Sequence, residues 1–187
     1  NVRNPAHPPV RVRYGPQTRD EMGELWLQLL PRTPQAEAAI QSAYQQRLVT
    51  DALKYNTLLI EREPTNAHAH VQLGKARYAL GETNQAQQLM RKAIQLDPLD
   101  EEAHYNLGVL HLQAGRLRSA TAELNRTLEL NPENAGALNN LGLIRLHERQ
   151  FDEAEDLFRR VLRVNPDAEF ARANLQLVAE ERRKAPP

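Results

Sequence analysis

In AHAHVQLGKARYAL (67–80) and EEAHYNLGVLHLQAG (101–115), apolar residues recur at three- and four-residue steps, the spacing that gathers them on one face of a helix. The first block is followed by Gly81 and the second ends on Gly115, where a helix can end in a left-handed residue, and a second helical block then runs to a proline. Proline lacks the N–H and clashes with a continuing helix, so the chain must turn at that point. Asn66, Asp100 and Asn134 follow two residues after the prolines and are natural N-caps for the next helix. The predicted unit is a helical hairpin, and it recurs every 34 residues. Pro64, Pro98, Pro132 and Pro166 keep that step, as do Leu73, Leu107, Leu141 and Leu175, then Gly74, Gly108 and Gly142, then Ala52, Ala86, Ala120 and Ala154. Glycines and alanines in mid-helix cost propensity or packing area, and close approach of the two antiparallel helices is the expected compensation.

The phase divides the chain into units at 67–100, 101–134 and 135–168. An earlier stretch, 33–66, keeps Ala52 and Pro64 in step but has Ala39-Ile40 in place of Leu-Gly, and reads as a degenerate first unit. Thr33-Pro34 is a suitable start for it, a cap followed by a first-turn proline. Arg149 stands where the other turns have glycine, so the third turn is expected to differ in detail. After Pro166 a last helix keeps Asn174-Leu175 in phase and becomes polar at EERRK, as a terminal cap with one face in water should. Residues 169–187 are therefore assigned to a capping helix and tail.

Leu-Gly in the first helix, a small residue in the second and Pro at the end together resemble the tetratricopeptide repeat family. The resemblance implies an all-α fold, a right-handed α-solenoid of antiparallel helix pairs whose first helices line a concave groove. It also implies a function, binding an extended peptide or protein segment in that groove. The residue before each in-phase leucine is Gln72, Asn106, Asn140 or Asn174. In the O-linked N-acetylglucosamine transferase array of this family, an asparagine ladder at this position grips a peptide backbone. A carboxamide offers a donor and an acceptor, which match a peptide unit whatever its side chain. Neighbouring groove positions are Val71, Lys75 and Tyr78, then Tyr105, Val109 and Leu112, then Asn139, Leu143, Leu146 and His147. For Val109, Leu112, Leu143 and Leu146, packing between repeats is the favoured alternative. Lys75 is the one cation suitably placed, too few for a clamp on an acidic peptide C-terminus.

Composition narrows the partners. Lys+Arg and Asp+Glu are equal at 24 each, so no basic field draws nucleic acid, and no apolar run has the length of a membrane span. Without cysteine there is no thiolate metal site or thiol nucleophile. His68 and His70 point about 200° apart on a helix and do not share a metal easily. His104 and His111 lie on one face, yet read as surface or groove residues. Ser42 and Ser119 have no nucleophile setting, and Asp100-Glu101-Glu102 suit a helix N-terminus. The repeats read as non-enzymatic, with no catalytic residue, metal site or cofactor.

Residues 1–32 read differently. NVRNPAHPP is irregular, VRVRY alternates as a strand would, and Met22, Leu25, Trp26, Leu29 and Leu30 fall at helical steps, predicting an amphipathic helix over 18–30. The same segment resembles the end of the copper-binding C-terminal domain of copper type II, ascorbate-dependent monooxygenases, where Met22 would match a copper-ligand methionine. That family's histidine ligands precede this point, so no monooxygenase activity is expected of these residues. The resemblance implies an accessory region of a larger, extracytoplasmic copper enzyme, and the start at NVRNP, without an initiator Met, is expected of an excised piece. A third reading assigns the Trp26 helix to self-association.

Overall fold

A computed structural model of the protein describes residues 33–184. The predicted strand and helix of residues 1–32, Met22 and Trp26 among them, lie outside the described residues. Eight helices and no strand occur among those described: α1 (Pro34–Arg62), α2 (Ala67–Ala79), α3 (Thr83–Leu96), α4 (Glu101–Gln113), α5 (Leu117–Leu130), α6 (Ala135–His147), α7 (Phe151–Val164) and α8 (Glu169–Lys184). The described residues fall into two units, divided after Arg47. In the first, Thr33 caps the start of α1 as expected, its Oγ1 accepting from Ala36 N at 3.2 Å. The second contains the rest of α1 and all the regular hairpins.

From α2 onward the architecture is an all-α solenoid. Helices pair as α2 with α3, α4 with α5 and α6 with α7, and α8 closes the stack against α7. Successive first helices also approach one another, α2 to α4, α4 to α6 and α6 to α8, as the inner side of a curved stack does. The caps are those expected: Asn66 accepts from Ala69 N at 3.0 Å, Asp100 from Ala103 N at 2.9 Å and Asn134 from Ala137 N at 2.8 Å. Inside each pair, a side chain of the second helix lies on the glycine of the first. A Cβ at Gly74 would meet Met90 Cε at 2.8 Å, one at Gly108 would meet Leu124 Cγ at 2.9 Å, and one at Gly142 would meet Phe158 Cε1 at 2.6 Å. A methionine tip swings aside and a rigid ring does not. Gly142→Ala is therefore expected to destabilise by about 1–3 kcal/mol and Gly74→Ala by clearly less, as read by urea unfolding of the two variants.

The turns between paired helices share one construction. Gly81 and Gly115 have φ of 78° and 70°, and the residue after each bonds back to the first helix, Glu82 N to Arg77 O and Arg116 N to His111 O, both at 3.0 Å. The third turn does not differ, contrary to the sequence expectation. Arg149 adopts φ 62°, and Gln150 N reaches Arg145 O at 2.8 Å. Side chains five residues apart latch each turn: Arg77 Nη1 on Glu82 at 2.8 Å, Arg116 Nε on His111 Nδ1 at 2.8 Å, Arg145 Nη1 on Gln150 at 2.9 Å. These contacts compensate the arginine for a conformation that disfavours a Cβ. Arg149→Gly should raise stability by about 1 kcal/mol, measured as an increase in Tm.

The middle latch carries a pH dependence. Burial, then Arg116 and Arg91, push the His111 imidazole below its ordinary value of 6.5, outweighing the opposite pull of Glu123. A histidine whose folded-state value is lowered contributes stability that is complete above the unfolded value and is lost as pH falls below it. Wild type should lose Tm between pH 7.5 and 5.5 by more than His111→Gln does, in thermal melts at constant ionic strength.

Residues 33–66 do not form the expected hairpin, because α1 runs as one helix of 29 residues. Every device that turns the other units is missing from its sequence. One period before Gly81 stands Arg47, one before the Arg77–Glu82 latch stand Ala43 and Leu48, and the glycine and the residue packed on it become Ile40 and Asn56. Asn56 is buried, and its carboxamide donates to Ala52 O at 2.8 Å along the helix. A continuous helix is what remains.

Candidate functional site

The inner side of the stack is built from α2, α4, α6 and α8, which bring the four carboxamides to the same turn of successive helices. All four are half-buried. Their bonding differs. Gln72 donates to Glu102 Oε2 at 3.3 Å, Asn106 donates back to Glu102 O at 2.7 Å, and Asn174 donates to Asn139 Oδ1 at 2.8 Å. Asn140 has no side-chain partner among the described residues. Each of these bonds takes one donor only, which leaves the Asn106 and Asn174 oxygens and the Asn139 amide available to a ligand.

The lone groove cation expected at Lys75 is not free. Its Nζ lies 2.6 Å from Glu102 Oε1, and both side chains are partly exposed. Glu102, read from sequence only as a first-turn acid, thus joins Lys75 and Gln72 of α2 to α4. Val71 is not a groove residue either: it is fully buried in the core with Met90 and Leu110. Tyr105 is half-buried against a core cluster and lies under Gly136 of the next repeat, while the Tyr78 hydroxyl accepts from Gln113. Lys75, Tyr78, Asn106 and Val109, with Met90 and Leu110, line a small pocket of about 20 Å³, room for little more than a water.

Toward α8 the face becomes more open and apolar. Leu143 is 37% exposed and Leu177 40% exposed. With Leu146, His147, Arg149, Phe151 and Glu181 they line a cleft of about 480 Å³. Sequence reasoning named Leu143, Leu146 and His147 but missed Leu177 and Phe151. Leu177 had a signal, since it stands one period after Leu143; Phe151 opens α7 and had none. The remaining histidines do not converge. His68 is exposed, His70 Nδ1 is 3.0 Å from Asn66 O, and His104 Nδ1 is 2.7 Å from Glu123 Oε2. Among the described residues, no three of His, Cys, Asp and Glu are grouped as metal ligands, and no helix is long and apolar enough to cross a membrane.

Comparison with known proteins agrees with this architecture. Residues 78–132 and 110–169 each match a tetratricopeptide repeat family model, so repeats of this kind are present over 78–169. Residues 14–31 lie outside both ranges, and the copper-domain resemblance is not confirmed. No curated protein matches. Among solved structures, a crystal structure of MamA is similar at 24% identity with a TM-score of 0.64, covering 75% of this chain and 76% of that one. YrrB, described as a TPR protein with an unusual peptide-binding site, is similar at 20% identity and TM-score 0.62, covering 76% and 74%. The first TPR domain of Spaghetti (RPAP3), solved with an HSP90 peptide, is similar at 20% identity and TM-score 0.59, covering 62% of this chain and 91% of that domain.

Proposed function

We propose that this solenoid is a non-catalytic scaffold that holds an extended peptide or protein segment along its inner face. The observation that carries the reading is the row Gln72, Asn106, Asn140 and Asn174, half-buried carboxamides at 34-residue steps that keep hydrogen-bonding capacity. Repeated at one position per turn of the stack, such groups suit an extended backbone, whose N–H and C=O groups also repeat. The cleft of Leu143, Leu146 and Leu177 would take an apolar side chain of the ligand and set direction and register. With Lys75 neutralised by Glu102, the neutral carboxamides and not charge would dominate recognition. Two similar structures are described as peptide-binding, which supports the class of ligand and not its sequence. A peptide-array screen of wild type against Asn106→Ala/Asn140→Ala tests it. Hits that bind both proteins equally would exclude the ladder.

A further inference from the structure

The second helices carry a feature that groove binding does not use. A cleft of about 490 Å³ opens among α3, α4 and α5, lined by Arg91, Gln95, His111, Ser119 and Glu123 over an apolar floor that includes Leu107. His111 is only 6% exposed. Its Nδ1 accepts from Arg116 Nε, so the ring's proton must reside on Nε2, where it has no partner among the described residues. No described carboxylate pairs with Arg91 or Arg116. Glu123 also lines the cleft, and its Oε2 is taken by His104 Nδ1 at 2.7 Å.

The neighbouring repeats show what is distinctive here. One period on, His111 corresponds to Arg145 and Ser119 to Glu153, and Arg145 Nε is paired with Glu153 Oε2 at 3.0 Å. One period back, the latch of Arg77 is neutralised by Glu82 at 2.8 Å. Both flanking repeats thus supply their own carboxylate to the latch. The middle one places a serine hydroxyl, the imidazole N–H of a largely buried histidine and two guanidinium groups there.

We propose that this cleft binds a small oxyanion, a phosphate or a carboxylate, through Arg91, the Nε2–H of His111 and the hydroxyl of Ser119. The ligand would occupy the role that Glu153 performs in the following repeat. The first turn of α5, which carries Ser119, adds a favourable dipole end. Charged and titratable groups facing His111 are Arg91 from α3, His104 from its own helix, and Arg116 and Glu123 from the turn and α5. An anion beside Arg91 would offset the cationic field and raise the imidazole's pKa.

The test is an NMR titration of the His111 ring in the whole chain with inorganic phosphate, with acetate, and with chloride at matched ionic strength. Phosphate or acetate should produce a saturable shift that chloride does not, and the stronger of the two identifies the source of the oxyanion. Arg91→Gln should weaken it about tenfold. Ser119→Glu should raise the His111 pKa without added anion, raise Tm, and remove the phosphate and acetate response. Circular dichroism melts establish that both variants fold. No response beyond chloride, or an undiminished response in Ser119→Glu, would overturn the proposal. Neither result touches the groove reading, which the Asn106→Ala/Asn140→Ala variant tests separately.

Discussion

Phe158→Ala should remove about 3–5 kcal/mol of stability, the largest loss expected of a single substitution in the repeats. The ring is completely buried, lies directly on Gly142, and shares a core cluster with Ala154 and Val178. Partly buried Leu146, Phe151 and Leu175 pack around it, so its loss opens a cavity that joins α6, α7 and α8. The glycine opposite has no side chain to refill that space, and two helices already in close approach cannot collapse much further. Thermal melts should show Tm lower by on the order of 10 °C. The equivalent Met90→Ala should cost less, because Met90 packs with a flexible tip. Equal losses in the two variants would show that the ring contributes nothing beyond its volume.

The second large effect concerns binding. Replacing both Asn106 and Asn140 by alanine should weaken a peptide found by the screen by about 2 kcal/mol, roughly 30-fold, at about 1 kcal/mol per hydrogen bond lost. The loss should be similar for peptides of unrelated sequence, since a carboxamide reads the backbone. Leu143→Ala should behave differently, discriminating among peptides by the apolar residue that enters the cleft. Stability should hardly change in the asparagine variant. Asn140 has no side-chain partner among the described residues, and Asn106 bonds only to a carbonyl of its own helix that already belongs to the α4 ladder. Isothermal titration with one matched peptide measures the affinity and a thermal melt the stability, and a Tm drop in step with the affinity loss would mean the residues act through the fold.

Local determinants of the hairpins were legible because they act over a few residues. Asn66, Asp100 and Asn134 cap as their chemistry requires, and Gly81 and Gly115 take the left-handed turn. The burial of Val71 and the pairing of Lys75 with Glu102 were not legible. Both depend on how α4 is rotated against α2, a quantity that a period of 34 residues leaves open. Arg149 shows the converse, a residue unsuited to its conformation that the backbone bonds of the turn and the Arg145 latch impose on it. The single helix α1 shows the limit of phase as an argument. Ala52 and Pro64 stay in step, yet without a turn residue, a latch and a glycine the chain has no reason to fold back on itself.

The glycine-facing residues Met90, Leu124 and Phe158 differ in size and shape, although any of them would serve to close a single hairpin. A chain of identical repeats could pair the first helix of one with the second helix of another, and such mispaired states would be nearly as stable as the native one. Here a helix shifted by one period would set a phenyl ring against a glycine whose surroundings accommodate an isobutyl group, or leave a methionine to fill the space of a ring. Unequal knobs therefore give each hairpin its own partner. They protect folding from slipping by one repeat, at no cost to the regularity of the finished stack.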